Sequence, residues 1–459
     1  MKKRIVSSLL AVAMIMTLLG GCGTKQGETT KTEPAVAETE KTEGNTEAAK
    51  ESEVLADGSE VELSFWYPIS QESEANWYAM MVQKFNEEYA GKIKILETAN
   101  TRGESFAYED KVSAAAATNS LPDILMADGP NVASYAYSNM FIPIEDYFTE
   151  EDMKDFLPST IAQGTYDGHF YAVGMGEGII NIYYNKDMLD AAGITAPEKI
   201  EDAWTWDEYY DVCKKLTKDG IYGGNFIQEK SGEWIIVAFQ PFLVANGAQL
   251  LSDDGSKAEG YINSEKAIQT GIYLQKFADE GLINVDPTAT EFQEGKCATK
   301  LAGAWIIPTL EQADFNWGVT YIPQKEAYAG STSGGWTVGV TPNCQNVDAA
   351  MEFIHYLSSP EACASFTVDG PAYPPVRYSA YDLLDIYDDG PNKIIKETLF
   401  EEGHARPATP NYPIFTQKFS EAFYDILLGA DVKTSLDDIA NSFDKEDVYK
   451  RQVMGAVKG

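Results

Sequence analysis

Residues that bind metals or form disulfides are scarce in this sequence, which has 5 cysteines and 3 histidines among 459 residues. Four cysteines lie in the body of the chain, without a CxxC pair or a histidine at zinc-ligand spacing: Cys213, Cys297, Cys344 and Cys363. We therefore expect no metal site and no cofactor. These thiols are expected to be free and partly buried, with a Cys344–Cys363 disulfide as the alternative if the chain is exported.

Basic residues are also few, since 35 lysines and arginines stand against 71 aspartates and glutamates, for a formal net charge of −36. A protein that binds nucleic acid or anionic lipid headgroups needs clusters of Lys and Arg to neutralise phosphate. We therefore expect neither kind of partner. Scattered acidic residues are most simply a solvated surface that keeps the protein soluble.

A short apolar run opens the chain. Basic residues fill positions 2–4, apolar residues follow over positions 5–19, and the sequence LGGC closes the run at Cys22. This pattern is typical of a secretory signal and not of a membrane span. The LGGC segment resembles the lipobox of bacterial lipoproteins. That resemblance predicts a signal peptide over residues 1–21, a lipid anchor on Cys22 and a protein held at the outer face of the cell membrane. The alternative is an ordinary signal peptide cleaved near Gly21.

The segment that follows Cys22 lacks the residues that build a core. Residues 22–59 are mostly Thr, Glu, Lys, Ala and Gly, without an aromatic side chain. Such a segment cannot bury enough apolar surface to offset the entropy of ordering it. We predict a disordered tether here. At the other end of the chain, residues 446–459 follow no pattern that we can assign to a structure.

The residues beyond the tether are too many for one ordinary core and predict two lobes of α/β structure. A strand pattern at 61–67, helical spacing from Trp77 to Tyr89 and a second strand near residue 93 indicate a right-handed crossover and a parallel sheet. A further helix at 111–118 and a short buried strand at 123–126 repeat the pattern. Ligands bind beyond the carboxyl ends of such strands, where Trp66, Tyr67 and Asp128 are predicted to lie.

Ordered motifs along the chain resemble one protein family, the extracellular solute-binding proteins of bacterial ABC importers, in the carbohydrate-binding group that includes maltose-binding protein. The motifs that carry the resemblance are LPDIL (121–125), DGHFYAV (167–173), IYYNKDM (182–188), AAG (191–193), WTWDE (204–208), FQEGK (292–296), AGAW (302–305), WGV (317–319), GGW (334–336) and ARP (405–407). Each motif is weakly specific, whereas the ordered set after a lipobox is strongly specific.

The resemblance implies a type II periplasmic-binding-protein-like fold, with two α/β lobes that are each a mostly parallel sheet flanked by helices. The chain would cross between the lobes near residues 173–178, 336–341 and 370–375. Lobe 1 would then hold residues 60–173 and 340–370, and lobe 2 residues 174–339 and 371–445. Closure around a ligand would present a new surface to the permease subunits. The expected protein is a monomer whose partners are a carbohydrate, the permease and the membrane.

Sugar capture needs an aromatic plate for the C–H face of a pyranose and polar groups for its hydroxyls. Trp305 is the best stacking candidate, because AGAW matches the family's Gly-x-Trp segment at the sugar site. The other aromatic candidates, each with packing as its alternative, are Trp66, Trp234, Trp336 and Tyr373. For the hydroxyls we favour Asp128 and Arg406, the latter with a salt bridge to the C-terminal helix as its alternative. Glu177 is a weaker candidate.

The sequence leaves two other functions as alternatives to sugar binding. A glycoside hydrolase needs a pair of carboxylates, but no GxSxG, HExxH or phosphate-loop motif supports an enzyme, and we expect none. The same fold could instead bind a polyamine or a peptide. Iron is not expected, because Tyr183-Tyr184 and Tyr209-Tyr210 are adjacent pairs, and neighbours on a strand point to opposite faces.

Overall fold

The computed structural model describes residues 59–102, 106–325 and 330–458. The predicted signal peptide, the anchor residue Cys22 and nearly all of the predicted tether lie outside the described residues. All of the described residues belong to one compact unit. Within the described ranges, no helix combines the length and the apolar character that a membrane span requires.

Strands and helices alternate along the chain. The strands are β1 Val61–Ile69, β2 Ile93–Thr101, β3 Ile124–Asp128, β4 Thr165–Tyr166, β5 His169–Phe170, β6 Ala172–Gly174, β7 Gly178–Ile179, β8 Asn181–Asn185, β9 Tyr222–Asn225, β10 Cys297–Ala302, β11 Trp317–Thr320, β12 Ser331–Gly334, β13 Trp336–Val340 and β14 Gly403–Ala405. The α-helices are α1 Glu72–Glu88, α2 Ala107–Ala117, α3 Val132–Tyr137, α4 Glu150–Asp155, α5 Pro158–Gly164, α6 Lys186–Ala191, α7 Trp206–Leu216, α8 Trp234–Ala245, α9 Glu265–Asp279, α10 Ile307–Leu310, α11 Val347–Leu357, α12 Pro360–Val368, α13 Tyr378–Tyr381, α14 Gly390–Glu402, α15 Tyr412–Leu427 and α16 Val432–Lys458. Short 3-10 helices lie at Gly129–Asn131, Glu145–Tyr147, Ile200–Asp202, Ala304–Ile306 and Asp385–Tyr387.

The first core surrounds a five-stranded sheet with strand order β2-β1-β3-β13-β6. Strand β1 pairs in parallel with β2 and with β3, as the strand, helix, strand pattern predicts. The apolar face of α1 covers the sheet, and Trp77, Met81 and Phe85 are buried there at helical spacing. We call this core and its sheet lobe 1.

The second part of the fold holds a four-stranded sheet, β11-β8-β10-β9, packed against α7, α8, α9, α15 and α16. Helix α8 is buried along nearly its whole length, as expected of a helix that is apolar on all sides. Helix α7 begins at a capping box in which Thr205 accepts from the backbone of Glu208 and the Glu208 carboxylate accepts from Thr205. Two adjoining hydrophobic cores surround this sheet, and we call the sheet and these cores lobe 2.

The sheets are mixed and not mostly parallel, which corrects the prediction. In lobe 1, β13 runs antiparallel to β3 and to β6. In lobe 2, β8 runs antiparallel to both β10 and β11, and only β9 and β10 pair in parallel. The physical reason in lobe 1 is that β13 arrives from lobe 2 without a helical crossover, so the rule that makes neighbouring strands parallel does not apply to it.

A small central sheet, β14-β12-β7, lies where the chain passes between the lobes. Strand β12 leads through Gly335 directly into β13 of lobe 1, and β7 follows β6 in the same way. The third passage differs from the predicted 370–375, because the lobe 1 core continues through Tyr387 before Ile395 joins lobe 2. Arg377 holds this segment on lobe 1 through Asp152 at 3.2 Å and Asp155 at 3.1 Å.

The four cysteines of the body are free and buried. The predicted free thiols are thus confirmed, and the alternative Cys344–Cys363 disulfide is wrong. Burial raises the pKa of the Cys344 thiol to about 11 and that of Cys363 to about 12. Since the thiolate is the reactive form, burial also makes both thiols poor partners for exchange.

Candidate ligand-binding cleft

A cavity of about 390 Å³ opens between lobe 1, the central sheet and lobe 2. Lobe 1 contributes Ser70, Gln71, Glu74, Arg102, Asp128, Trp336 and Tyr373, and the segments that pass between the lobes contribute Gly178, Ile180, Thr332, Ser333, Gly334, Gly335 and Arg406. Lobe 2 contributes Gln228, Glu229, Glu233, Trp234, Val237, Ala289, Gln293, Lys300, Trp305, Ile306 and Thr309. The volume falls within the range of small-molecule sites, about 300–1,000 Å³.

The lobe 1 wall of the cavity lies at the carboxyl ends of three neighbouring strands. Ser70 follows β1, Arg102 follows β2 and Asp128 ends β3. Parallel strands bring their carboxyl ends to one edge of a sheet, and ligands of open α/β sheets bind beyond that edge. Asp128 therefore lies at the carboxyl end of a strand, where the sequence predicts it.

Three of the predicted aromatic residues form one continuous wall. The ring centroids of Trp305 and Tyr373 are 5.6 Å apart, and Trp234 meets Trp305 edge to face at 6.2 Å. The indole N–H of Trp234 donates to the backbone oxygen of Phe226 at 2.9 Å, so this ring is held in place and keeps no donor for a ligand. Trp305 and Tyr373 are half-buried, whereas Trp234 is buried, so the first two rings offer the accessible surface of this wall.

Two glycines make room for the Trp305 indole. A Cβ at Gly303 would lie 2.0 Å from Cζ3 of Trp305, and a Cβ at Gly178 would lie 2.9 Å from the same atom. Any side chain at either position would push the ring out of its place. The glycine of the AGAW motif is thus required by the indole two residues later.

Trp336 lies between the core and the cavity. It is 9% exposed, packs edge to face on Tyr108 at 5.7 Å, and lies beneath the guanidinium of Arg102 at 5.4 Å from the ring centroid. Its exposed edge lines the cavity, while most of its surface stabilises lobe 1. Trp336 therefore packs in the core of lobe 1 and also lines the cavity.

Asp128 and Arg406 form a buried ion pair that joins the two lobes. Nη1 of Arg406 donates to Oδ2 of Asp128 at 3.0 Å and Nη2 donates to Oδ1 at 2.6 Å, while Nη1 also reaches Oε1 of Glu233 at 2.6 Å. Glu233 accepts in addition from the hydroxyls of Tyr412 and Thr416 on α15. Burial opposes the charge of Arg406, but Asp128 and Glu233 outweigh it and raise its pKa.

This network decides between the two predicted roles of Arg406. Its terminal nitrogens are engaged by carboxylates, and α15 takes part through Tyr412 and Thr416, so the salt-bridge alternative describes them. Its Nε has no hydrogen-bond partner among the described residues. The guanidinium therefore links Asp128 of lobe 1 to Glu233 of lobe 2, and two of its five N–H groups, one on Nε and one on Nη2, make no hydrogen bond with a described residue.

Other charges of the cavity are less fully paired. Burial raises the pKa of Glu74 to about 7, although the backbone N–H of Ser70 donates to its Oε2 at 2.8 Å. Burial likewise raises the pKa of Glu229, against the field of Arg102. Burial opposes the charge of Arg102 too, but the carboxylates around it, Asp128 first, raise its pKa.

Trp66, Tyr67 and Glu177 do not line the cavity, unlike the other predicted residues. Strand β1 continues to Ile69, so Trp66 lies inside the strand and not at its end, and its ring packs beneath Nζ of Lys111 at 4.5 Å. Glu177 is buried and accepts from Thr160 at 2.6 Å and from Gln163 at 3.0 Å. The structure thus brings together Asp128, Trp234, Trp305, Trp336, Tyr373 and Arg406.

A family of proteins matches this chain over most of its folded part. The sequence profile described as bacterial extracellular solute-binding protein matches residues 80–394. The chain belongs to this family. Its members carry solutes outside the cytoplasm, which agrees with a cavity between two lobes.

Relatives of this solute-binding protein resemble it along most of their length. The galactooligosaccharide-binding protein of Bacillus subtilis (strain 168) is 22% identical over 402 residues, which are 83% of this chain and 88% of the relative. An ABC substrate-binding protein of Listeria monocytogenes in complex with cycloalternan superposes with a TM-score of 0.74 at 18% identity, covering 84% of this chain and 99% of the other. A solute-binding protein of Thermotoga lettingae bound with α-D-tagatose gives a TM-score of 0.73 at 24% identity, covering 84% and 99%. The solved structures confirm the two-lobe fold.

Several residues of the solute-binding protein's cleft were missed by the sequence analysis. Ser70 and Arg102 follow β1 and β2 as Asp128 ends β3, so the rule that placed Asp128 would have found them if applied to every strand, whereas Glu74 lies in the first turn of α1. Lys300 and Thr332 lie inside strands whose pattern only says that they are buried. No sequence signal separates a buried residue that faces a cleft from one that faces a core.

Proposed function

We propose that this solute-binding protein captures a carbohydrate, in particular an oligosaccharide, between its lobes and delivers it unchanged to the subunits of an ABC permease. One observation carries the proposal: the half-buried ring of Trp305, in contact with Trp234 and Tyr373, lines a cavity that polar and charged side chains also line. An aromatic plate opposite a polar rim suits the two faces of a pyranose. The sugars bound by relatives, a galactooligosaccharide-binding protein among them, support the same class of ligand.

The charges of the cavity argue against the polyamine alternative. A polyamine needs carboxylates that are free to pair with ammonium groups. Asp128 and Glu233 are engaged by Arg406, and Glu229 lies in the field of Arg102. The carboxylates of the cavity therefore already have cationic neighbours from this chain.

A thermal-shift screen tests the proposed function. The purified chain without its signal peptide is heated with neutral and acidic mono- and oligosaccharides, polyamines, short peptides and ferric ion. We expect a saccharide to raise the melting temperature, because a ligand at 100 times its Kd stabilises the folded state by about 2.7 kcal/mol. Stabilisation by a polyamine or a peptide alone would contradict the proposal. Chromatography of the bound sugar after incubation should return it intact, and cleavage products would instead indicate a glycoside hydrolase.

We also propose that the mature protein is a monomer anchored to the membrane by a lipid on Cys22. The LGGC motif after a basic and apolar leader supports the anchor. Replacing Cys22 by Ala is expected to move the protein from the membrane fraction to the soluble fraction or the medium. Retention of the Cys22→Ala variant in the membrane fraction, with wild-type protein as the control, would contradict lipidation.

A further inference from the structure

Lys300 is a buried cation of the cavity that has no counter-ion among the described residues. Lys300 lies on β10, is 3% exposed and contributes to the lobe 2 wall. Its Nζ donates to Oδ1 of Asn225 at 3.2 Å, and no carboxylate of a described residue lies within 4 Å of it. An ammonium group has three N–H donors, so two of them find no partner in this contact.

The partner of Lys300 is held in a fixed orientation by a second layer of residues. Nδ2 of Asn225 donates to Oε2 of Glu291 at 2.7 Å, which turns the amide oxygen of Asn225 toward Lys300. The other oxygen of Glu291 accepts from Asn284, also at 2.7 Å. Both oxygens of Glu291 are therefore engaged by amides, and the carboxylate does not contact Lys300 but influences it through its field and through Asn225.

Of the other two cations of the cavity, Arg406 contacts two carboxylates directly. Arg102 forms no ion pair within 4 Å with a described residue, but it lies in the field of Asp128 and Glu109, which raises its pKa. Burial lowers the pKa of Lys300, and Cys297 and Glu291 only partly oppose that effect. None of the carboxylates that line the cavity contributes to this shift.

We infer that Lys300 binds an anionic group of the ligand and that the captured sugar is an acidic saccharide, one that carries a carboxylate such as a uronate. The inference rests on the proposed function and narrows its substrate class. A buried charge without a counter-ion is costly, and neutral hydroxyl groups would supply hydrogen bonds without cancelling the charge. A carboxylate supplies both, and its bonds to an ammonium group are the stronger kind.

A second polar atom of the same wall fits a sugar that is held at Lys300. Oε1 of Gln293 is buried and has no hydrogen-bond partner in the described part of the chain, while its Nε2 donates to Thr309 at 3.2 Å. Gln293 lines the cavity, and an amide oxygen accepts from a donor such as a sugar hydroxyl. The lobe 2 wall thus carries both a cation and an acceptor without a partner among the described residues.

Paired ligands and paired variants test the inference. The probes are galacturonate and glucuronate and their oligosaccharides, each measured by calorimetry against galactose, glucose and the corresponding neutral oligosaccharides. We expect the tightest ligand to be acidic and Lys300→Met to weaken it by about 30-fold or more, because truncating one partner of a buried charge pair costs at least that much. Lys300→Arg should keep part of the affinity. The control is Lys296→Met, which removes an exposed lysine paired with Glu294 just before the same strand.

Three results would count against the inference, and they can be told apart. Tight binding of neutral sugars without binding of the acidic ones overturns the inference and leaves the proposed function in place. Binding of polyamines or peptides, with no sugar of either kind bound, overturns both. Equal losses for acidic and neutral sugars in Lys300→Met, with an unchanged melting temperature, would show that Lys300 does not select for the charge. If Lys300→Met does not fold, Lys300→Gln provides the same comparison.

Discussion

Replacing Arg406 by methionine is expected to lower the free energy of unfolding by about 3–5 kcal/mol. The guanidinium is 4% exposed and contacts the buried carboxylates of Asp128 and Glu233. Without it, two negative charges remain in a site with little water to solvate them, and that cost exceeds the value of the pair itself. Urea unfolding monitored by circular dichroism measures the difference, and the variant should also open more readily because the network joins both lobes.

A second substitution shows whether the loss comes from uncompensated charge. Adding Asp128→Asn to Arg406→Met removes one of the two unpaired carboxylates. The double variant is therefore expected to lose less stability than the sum of the losses in the two single variants. The matched control is Lys418→Met, which breaks the exposed pair with Glu421 and should cost no more than about 1 kcal/mol. A loss for Arg406→Met as small as that of the control would show that the buried pair does not hold the lobes.

Much of the fold follows from local sequence patterns. The buried face of α1 repeats at helical spacing, and β1 and β2 flank it, so the parallel pairing of the strands could be predicted. The direction of β13 could not, because it depends on which lobe the chain comes from and not on its own residues. The third passage between the lobes was misplaced for a similar reason, since Arg377 holds its segment on lobe 1 through contacts made more than 220 residues away in sequence.

The candidate site was predictable where it depends on strand ends and motifs. Asp128 and Trp305 follow from such signals, and both line the cavity. Trp66 was predicted from the same kind of signal but does not line the cavity, because β1 extends three residues beyond it. Asp128 and Arg406 are 278 residues apart in sequence. Their pairing depends on how the strands and helices are arranged in space, so no local sequence pattern predicts it.

Replacing Trp305 by alanine is expected to weaken binding of the ligand identified in the sugar screen by about 1–3 kcal/mol. The reason is the loss of the exposed aromatic plate, while Trp234 and Tyr373 behind it lose their neighbour. Trp305→Phe should recover part of the affinity because it restores a smaller ring. Isothermal titration calorimetry measures the change, with the melting temperature of each variant as the check that it is folded.

The matched control for this prediction is Trp317→Ala, because Trp317 is also a half-buried indole of lobe 2 but does not line the cleft. Its ring packs near Tyr183 at 6.2 Å, so its loss should affect stability and leave affinity unchanged. An unchanged affinity in Trp305→Ala would remove Trp305 from the site. An equal loss of affinity in Trp317→Ala would mean that general destabilisation of lobe 2, and not contact with the ligand, explains the effect. Only the loss of a group that touches the ligand should lower the affinity without a matching loss of stability.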